Sequence, residues 1–499
     1  MGNKFKNKIV IIGAGLSGLS AAAKLAKNGF DVTVLEKNSE PGGRAITYKE
    51  KGFTFDIGPS WFMMPDVFEK YFKELKKDIK DYIPLERLDP SYRIYTDKNK
   101  YLDIYPDLEK NLKTFDSIEP GAGEQLQKYL QNAEFKYKTG LKYYVYRVYN
   151  SIFDFFDLRL IVEGLKLSLF TPLDRFVRRY FQNETLIRVL EFMVVFIGGS
   201  PYNIPALYTL LAYADLKLGV WYPKGGMNQV ARGLEKLGKE FGVKYKYNAE
   251  VKKIEIDKNS NLKKIFTNTG TYNTKIVLSS ADYPFVETKL LPKKYQSYNE
   301  KYWDKKILSP SSLLFFVGID KKLSNMLHHT LFFNDSWNEH FNSIFKDPKW
   351  PKDILYYVSL TSKTDENVAP EGMENMVILV PLASGLKDDK KIHELYFDKI
   401  IEDIENNTGQ KFKENIIVKR SYCLDDFKMD FNAYKGNAFG LAHTLFQTAI
   451  FRPSYKSKKI KDFYYTGQFT TPGVGMPIAL ISGQVIASEI IKRNGKSKA

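Results

Sequence analysis

The sequence predicts an α/β chain, α+β overall, in which a βαβ-based domain with a parallel sheet is interwoven with a second domain of mixed sheet plus helices. Three observations carry this. A strand–glycine–helix–strand pattern fills residues 8–36. Strand-like apolar runs return late, at 310–320, 354–361 and 376–383, where they suit a separate sheet serving as a platform. A short apolar strand, a Gly/Pro loop and a helix then close the chain between residues 463 and 494.

The first pattern is the most specific. An apolar run, Lys8–Ile12, meets Gly13, Gly15 and Gly18 in the spacing GAGLSG, and a helical run follows to Asn28-Gly29. A second apolar run, Val32–Leu35, ends on Glu36, 18 residues past Gly18. Gly13 permits the tight strand-to-helix turn, Gly15 lets backbone approach a pyrophosphate, and Gly18 lets helix pack on sheet. The helix N-terminus offers free N–H groups to phosphates. Glu36 stands where an acid accepts ribose hydroxyls, and its charge disfavours the 2′-phosphate of NADP. The reading is a Rossmann-like dinucleotide site, with FAD or NAD as the ligand. After Glu36 comes Pro41-Gly42-Gly43-Arg44, a turn that sets a guanidinium and bare backbone beside a diphosphate.

The remaining elements follow in order. Residues from about 85 to 215 read mostly helical, with an apolar stripe through Tyr146, Tyr149, Phe153, Phe156, Leu160 and Leu167. The stretch 139–182 carries seven basic and four acidic residues; it suits either core or a membrane interface. A helix is expected at Asn228–Phe241, strands at Val243–Tyr247, Ala249–Ile256 and Ile276–Ser279, and a last strand at Phe463–Tyr465. Gly467 then lies in a turn, and Met476 in a Gly/Pro loop that opens the helix Ile478–Asn494. The first domain is thus discontinuous, 1–85, 215–290 and 455–499. The second takes 86–214 and 291–454, with a helical, membrane-facing part near 139–182.

Composition narrows the function classes. The chain has 499 residues, a net charge of +17 and 15% aromatic residues. The lysines are scattered, and no zinc-finger spacing, RNP motif or long basic block points to nucleic acid. A single cysteine, Cys423, excludes internal disulfides and CxxC chemistry, which suits a reducing cytosol. The five histidines do not fall at metal-ligand spacings, so no metal is expected. The N-terminus does not read as a secretory signal, and Lys6 breaks a myristoylation start. The most apolar stretch, Thr185–Ala214, is interrupted by Arg188, Glu191 and Gly198-Gly199, so no membrane span is expected.

Together the motifs VIIGAGLSGLSAAAKLAKNGFDVTVLEKNSEPGGR, GFTFDIGPSW, FIGGSPYNIPALY, GVWYPKGGM and YYTGQFTTPGVGMPIALISG resemble the bacterial-type carotenoid (phytoene) desaturase family, within the amine-oxidase-like flavoproteins. The resemblance covers nearly the whole chain. It implies FAD as cofactor, held at Gly13, Gly15, Gly18, Glu36, Gly43, Arg44 and Val251, with Gly467 and Met476 flanking the flavin. The family's C-terminal loop often reads His-Pro-Gly; here Thr471 replaces the histidine, so that residue's role does not carry over. The implied activity is stepwise desaturation of phytoene toward lycopene, by hydride transfer to flavin, on an apolar substrate that needs orientation and water exclusion more than acid/base machinery. Glu191 and Asp215 are the candidate bases. Alternatives are a hydroxycarotenoid 3,4-desaturase, a carotenoid isomerase or oxygenase, an amine oxidase, and a non-enzymatic isoprenoid-lipid escort protein on the same scaffold. The expected partners are an apolar carotenoid, an anionic membrane surface and oxygen or a quinone as electron acceptor. The expected location is cytoplasmic, on the inner face of the cell membrane.

Overall fold

The computed structural model describes residues 8–148, 164, 166–333 and 337–494. A five-stranded parallel sheet runs in the order Phe463–Tyr465, Ile276–Ser279, Lys8–Ile12, Asp31–Leu35, Lys244–Lys246. Its central strand, KIVII, is buried from Ile9 onward, as expected of a parallel strand covered on both faces. The helix Leu16–Lys27 leaves that strand through the glycine turn and packs against two others, Asn228–Glu240 and Met476–Asn494. Its crossing with the C-terminal helix is very close. Ser20 Oγ donates to Leu480 O at 3.0 Å, and a Cβ on Gly483 would stand 2.1 Å from both Ser17 O and Ser20 Oγ.

The late apolar runs do share one sheet. Its seven strands lie in the order Ile416–Tyr422, Ser311–Ile319, Glu374–Leu382, Tyr356–Ser359, His329–Phe332, Tyr92–Asp97, Lys100–Ile104. All neighbours are antiparallel except His329–Phe332 with Tyr92–Asp97, so the sheet is mixed. The helix Lys390–Thr408 covers one face through Phe397, Ile400 and Ile404. The other face, bearing Leu314, Phe316, Leu331, Tyr357 and Leu379, turns toward the first domain's cleft.

Three expectations change. Residues 85–104 are not helical but supply the strand Leu85–Arg87 and the hairpin that ends the seven-stranded sheet. In that hairpin Tyr92 and Ile94 are buried while Arg93 is not, the period-2 pattern of a strand with one covered face. The strand expected from Ala249 begins at Val251 and pairs in a separate antiparallel sheet with Leu262–Thr267 and Thr271–Tyr272. The C-terminal helix starts at Met476, two residues earlier than expected. Of the aromatic stripe, Tyr149, Phe153, Phe156 and Leu160 lie outside the described residues. Tyr146 follows a turn of π-helix at Gly140–Val145, and Leu167 is buried. Among the described residues, no helix is long and apolar enough to cross a membrane.

Candidate functional site

The parallel sheet ends at a deep cleft enclosing about 1580 Å³ of space, partly open to solvent. Gly13, Gly15, Glu36, Gly43, Arg44, Val251, Gly467 and Met476 all line it, although they come from both ends and the middle of the chain. Gly18 does not. Its amide donates to Ser280 Oγ at 3.1 Å, and a Cβ there would stand 2.4 Å from Gly13 O. Its job is the close helix-to-strand packing that shapes the turn.

The two glycine motifs face one another. Gly42 N donates to Ala14 O at 2.9 Å, and a Cβ on Gly43, at φ +59°, would approach Gly15 Cα to 3.2 Å. The wall is therefore bare backbone beside a helix N-terminus, the arrangement that accepts a diphosphate. Glu36 stands at the end of its strand with both oxygens engaged. Oε2 accepts from Ala14 N at 2.7 Å and Oε1 from Asn38 N at 2.9 Å. Burial pushes its carboxyl above the ordinary range, while those two N–H donors favour the anion. Each oxygen keeps a free lone pair for a ribose hydroxyl.

Arg44 leaves the Gly-Gly turn toward the same cleft. One Nη donates to Asn437 O at 3.1 Å and lies 3.6 Å from Asp282 Oδ2. With the Gln468 amide oxygen turned toward it, both Nη atoms stand 3.0 Å from that oxygen. Its buried Nε has no partner, so a donor is left for an anionic ligand. These features fit FAD: a cradle that a Cβ would fill, an orphaned guanidinium N–H and an acid at the ribose position. Bound there, FAD supplies a group that accepts two electrons as hydride.

The loop 466–476 walls another side of the cleft. Buried Arg452 holds it from behind, donating to Thr470 O at 2.9 Å, Gln468 O at 2.5 Å, Gln447 O at 3.1 Å and Leu441 O at 3.4 Å. An imidazole also lies against this loop, from a segment the motifs did not flag. His443 Nε2 accepts from Val474 N at 3.2 Å, and Nδ1 pairs with Tyr208 OH at 2.6 Å. Burial and the Arg452 charge hold His443 neutral. Neither Arg452 nor His443 belongs to a periodic pattern, so only the neighbouring glycines hinted at a site here.

A second cavity lies over the seven-stranded sheet, about 540 Å³ counted together with the space open to solvent. Phe196, Leu331, Trp337, Phe341 and Tyr357 line it, and Leu379 lines both cavities. The two cavities thus share one apolar wall residue on the sheet face. His340, which lines the second cavity, is spent on main chain. Its Nε2 donates to Pro381 O at 2.8 Å and its Nδ1 accepts from Leu355 N at 3.0 Å.

Glu191 and Asp215 line neither cavity. Asp215 Oδ2 accepts from Tyr92 OH at 2.6 Å, and burial lifts its carboxyl to about 7. Glu191 is buried with Oε1 unpartnered, and burial lifts it to about 9. Above the unfolded value near 4.5 the folded chain holds this proton and the unfolded chain does not. Stability therefore falls as pH rises toward 9, by up to about 1.4 kcal/mol per pH unit from this group. Glu191→Gln removes that slope. Its melting temperature is expected to decline less than wild type's between roughly pH 6 and 9; equal declines in thermal melts would show Glu191 already ionised in the fold.

Cys423 is buried, and burial pushes its thiol up, away from nucleophilic reactivity. Its sulfur, one Asp388 oxygen and a His393 nitrogen lie within 4.8 Å of one another. His393 Nε2 already sits 3.0 Å from Asp388 Oδ1, and none of the three lines either cavity.

A family model described as flavin containing amine oxidoreductase matches residues 16–491. A carotenoid 3,4-desaturase of Haloarcula japonica is 40% identical over 485 residues, covering 97% of this chain and 98% of that protein. A zeta-carotene-forming phytoene desaturase of Myxococcus xanthus is 32% identical, covering 97% of this chain and 94% of its own length. Among solved structures, an oxidoreductase from Methanosarcina mazei superposes with a TM-score of 0.63 at 15% identity, over 96% of this chain and 100% of that one; it shows the fold alone. The chain is an FAD-dependent oxidoreductase and belongs to the carotenoid desaturase family of the flavin-containing amine oxidoreductases.

Proposed function

We propose that this protein desaturates an acyclic carotenoid, introducing a 3,4 double bond into an already conjugated chain. The observation that supports a polyene substrate is the apolar sheet face, whose Leu331, Tyr357 and Leu379 line the second cavity and whose Leu314 and Leu379 line the cofactor cleft. The chain's residues align an apolar molecule along the sheet face and exclude water, which favours hydride loss beside a conjugated system. The developing positive charge spreads along the polyene, so a charged stabiliser is dispensable. The relative named for 3,4-desaturation, at 40% identity against 32% for the phytoene desaturase, favours the later substrate. A second reading, phytoene converted stepwise toward lycopene, is favoured by the segments FIGGSPYNIPALY and GVWYPKGGM, which resemble phytoene desaturases.

The substrate dissolves in lipid, and we place the enzyme on the inner face of the cell membrane. Exposed Phe446 and Phe451, with ring centroids 6.1 Å apart, offer an apolar contact, and the net charge of +17 favours anionic lipid. Reduced flavin would pass its electrons to oxygen or a quinone.

The test is expression in two bacterial hosts, one accumulating phytoene and one accumulating lycopene. The expected result is loss of two hydrogens per step from lycopene with phytoene unchanged. Loss of hydrogens from phytoene alone would establish the second reading. Carotenoids of unchanged mass in both hosts, from protein loaded with FAD, would overturn both.

A further inference from the structure

The cofactor cleft is walled by both domains, and at one end the two walls touch. Lys37 and Asn38 line it from the first domain. Asp430, Phe431 and Asn432 line it from the second. The last three lie at the end of the helix Leu424–Phe431, which Asn432 stops in the left-handed region at φ +51°.

A helix leaves its last four carbonyls without partners of its own. Two of those at the end of Leu424–Phe431 are taken by side chains from the opposite wall. Lys37 Nζ donates to Met429 O at 2.6 Å, and Asn38 Nδ2 donates to Asp430 O at 3.3 Å. The Lys37 ammonium also meets the negative end of the helix dipole. Arg44 adds a third crossing, its guanidinium 5.8 Å from the centre of the Phe431 ring. Lys37 and Asn38 directly follow Glu36, so the crossings stand beside the acid at the ribose position.

The two ends of this helix are held differently. At its start Leu424 and Phe427 are buried, and Cys423 N donates to Asp426 Oδ2 at 2.8 Å. At its end Met429 is 65% exposed, and Asp430 and Phe431 are only partly covered. Within its own domain that end is tied by the Tyr422 hydroxyl, which donates to Asp430 Oδ2 at 2.9 Å. The end that reaches the opposite wall is thus the thinly packed one, and such segments open locally at small cost. Two hydrogen bonds in a partly exposed place add little to the stability of the whole fold. Their place at the mouth of the cleft gives them a different consequence.

We propose that Lys37 and Asn38 clasp the C-terminal end of Leu424–Phe431 across the mouth of the cleft and set the rate at which FAD exchanges. Both are positioning residues. Their bonds run to main-chain carbonyls of the protein, and neither bond is spent on the cofactor. The clasp therefore acts as a gate rather than as binding surface. Weakening it raises the population of the open mouth, which speeds entry and exit by the same factor and leaves affinity unchanged.

The FAD-loaded protein is incubated with an excess of isotopically labelled FAD, and uptake of label gives the exit rate. Equilibrium dialysis gives the dissociation constant, and the two together give the entry rate. The variant joins Lys37→Met to Asn38→Leu. It keeps the residue-38 main-chain N–H that holds Glu36 Oε1. Its label uptake is expected to be about tenfold faster than wild type's, with a dissociation constant within about twofold. Lys37→Arg keeps a charge and a donor, and its uptake is expected to stay within about twofold of wild type's. Unchanged uptake in the double variant overturns the clasp. Faster uptake with affinity weakened in proportion overturns it too, since the two side chains would then belong to the binding surface. A thermal melt shows whether the double variant folds. Should it not, Asn38→Leu alone is expected to speed uptake about threefold at unchanged affinity, and the same two outcomes would overturn the proposal.

Discussion

Gly18→Val is expected to yield a protein without flavin. The expected loss follows from distances rather than from the motif. A Cβ at Gly18 would stand 2.4 Å from Gly13 O and 2.9 Å from Ser280 Cβ. Neither atom is the free end of a flexible side chain. One is the backbone of the glycine turn, and the other belongs to the segment after the strand Ile276–Ser279, whose Ser280 N donates to Ile12 O at 2.8 Å. Relief requires the helix Leu16–Lys27 to lift from the sheet, carrying with it Gly15 and the free N–H groups that face the cleft. Overpacking against immovable backbone costs about 3–5 kcal/mol, and the cradle is displaced as well. The measurement is flavin absorbance per mole of purified variant, beside a thermal melt. Full flavin content with an unchanged melt would mean that the turn yields far more easily than its contacts indicate.

Arg452→Met is expected to have the second largest effect. The guanidinium is 5% exposed and meets four main-chain carbonyls. Among the described residues no carboxylate comes within ion-pair distance of it. Those carbonyls belong to two segments, 441–447 and 468–470, so one side chain fastens both to each other and to the back of the cleft. Methionine fills much of the volume but strands the acceptors, at about 1 kcal/mol or more for each. The lost burial cost of the charge offsets part of this. The expected net is a loss of about 2–4 kcal/mol in chemical denaturation, with weaker FAD retention. Arg452→Lys keeps the charge but not the planar fork, and is expected to restore less than half of the loss. A full rescue by lysine would assign the role to charge rather than to the fastening.

Some of this could be read from the sequence, and the reason is local. Gly13, Gly15, Gly18 and Glu36 lie within one supersecondary unit, and each answers to a constraint that only its own spacing sets. Arg44 and Gly43 follow directly on that unit. All but Gly18 line the cleft, and Gly18 builds it. Gly467 and Met476 were legible because a bare Gly/Pro loop before a helix is uncommon without a purpose. The hairpin Tyr92–Ile104 was not legible: its alternation is short and is broken at Asp97–Lys100. Arg452 bonds only to main chain, which leaves no trace in residue type. Glu191 and Asp215 are read as candidate bases for lying in the substrate-side segments, yet both are buried and line neither cavity.

The crossing of the first and last helices bears on how the enzyme is made. The helix Leu16–Lys27 carries the phosphate-facing turn, yet the partner that covers it, Met476–Asn494, leaves the ribosome about 450 residues later. The edge strand Phe463–Tyr465 is equally late. At about 5–20 residues per second the nascent βαβ unit waits some tens of seconds with one flank bare. The cleft is therefore complete only after Met476–Asn494 has been made, since Gly467 and Met476 line it. A cell short of flavin would accumulate chains in which Met476–Asn494 has nothing bound to close over, and these would be the natural substrates of its proteases.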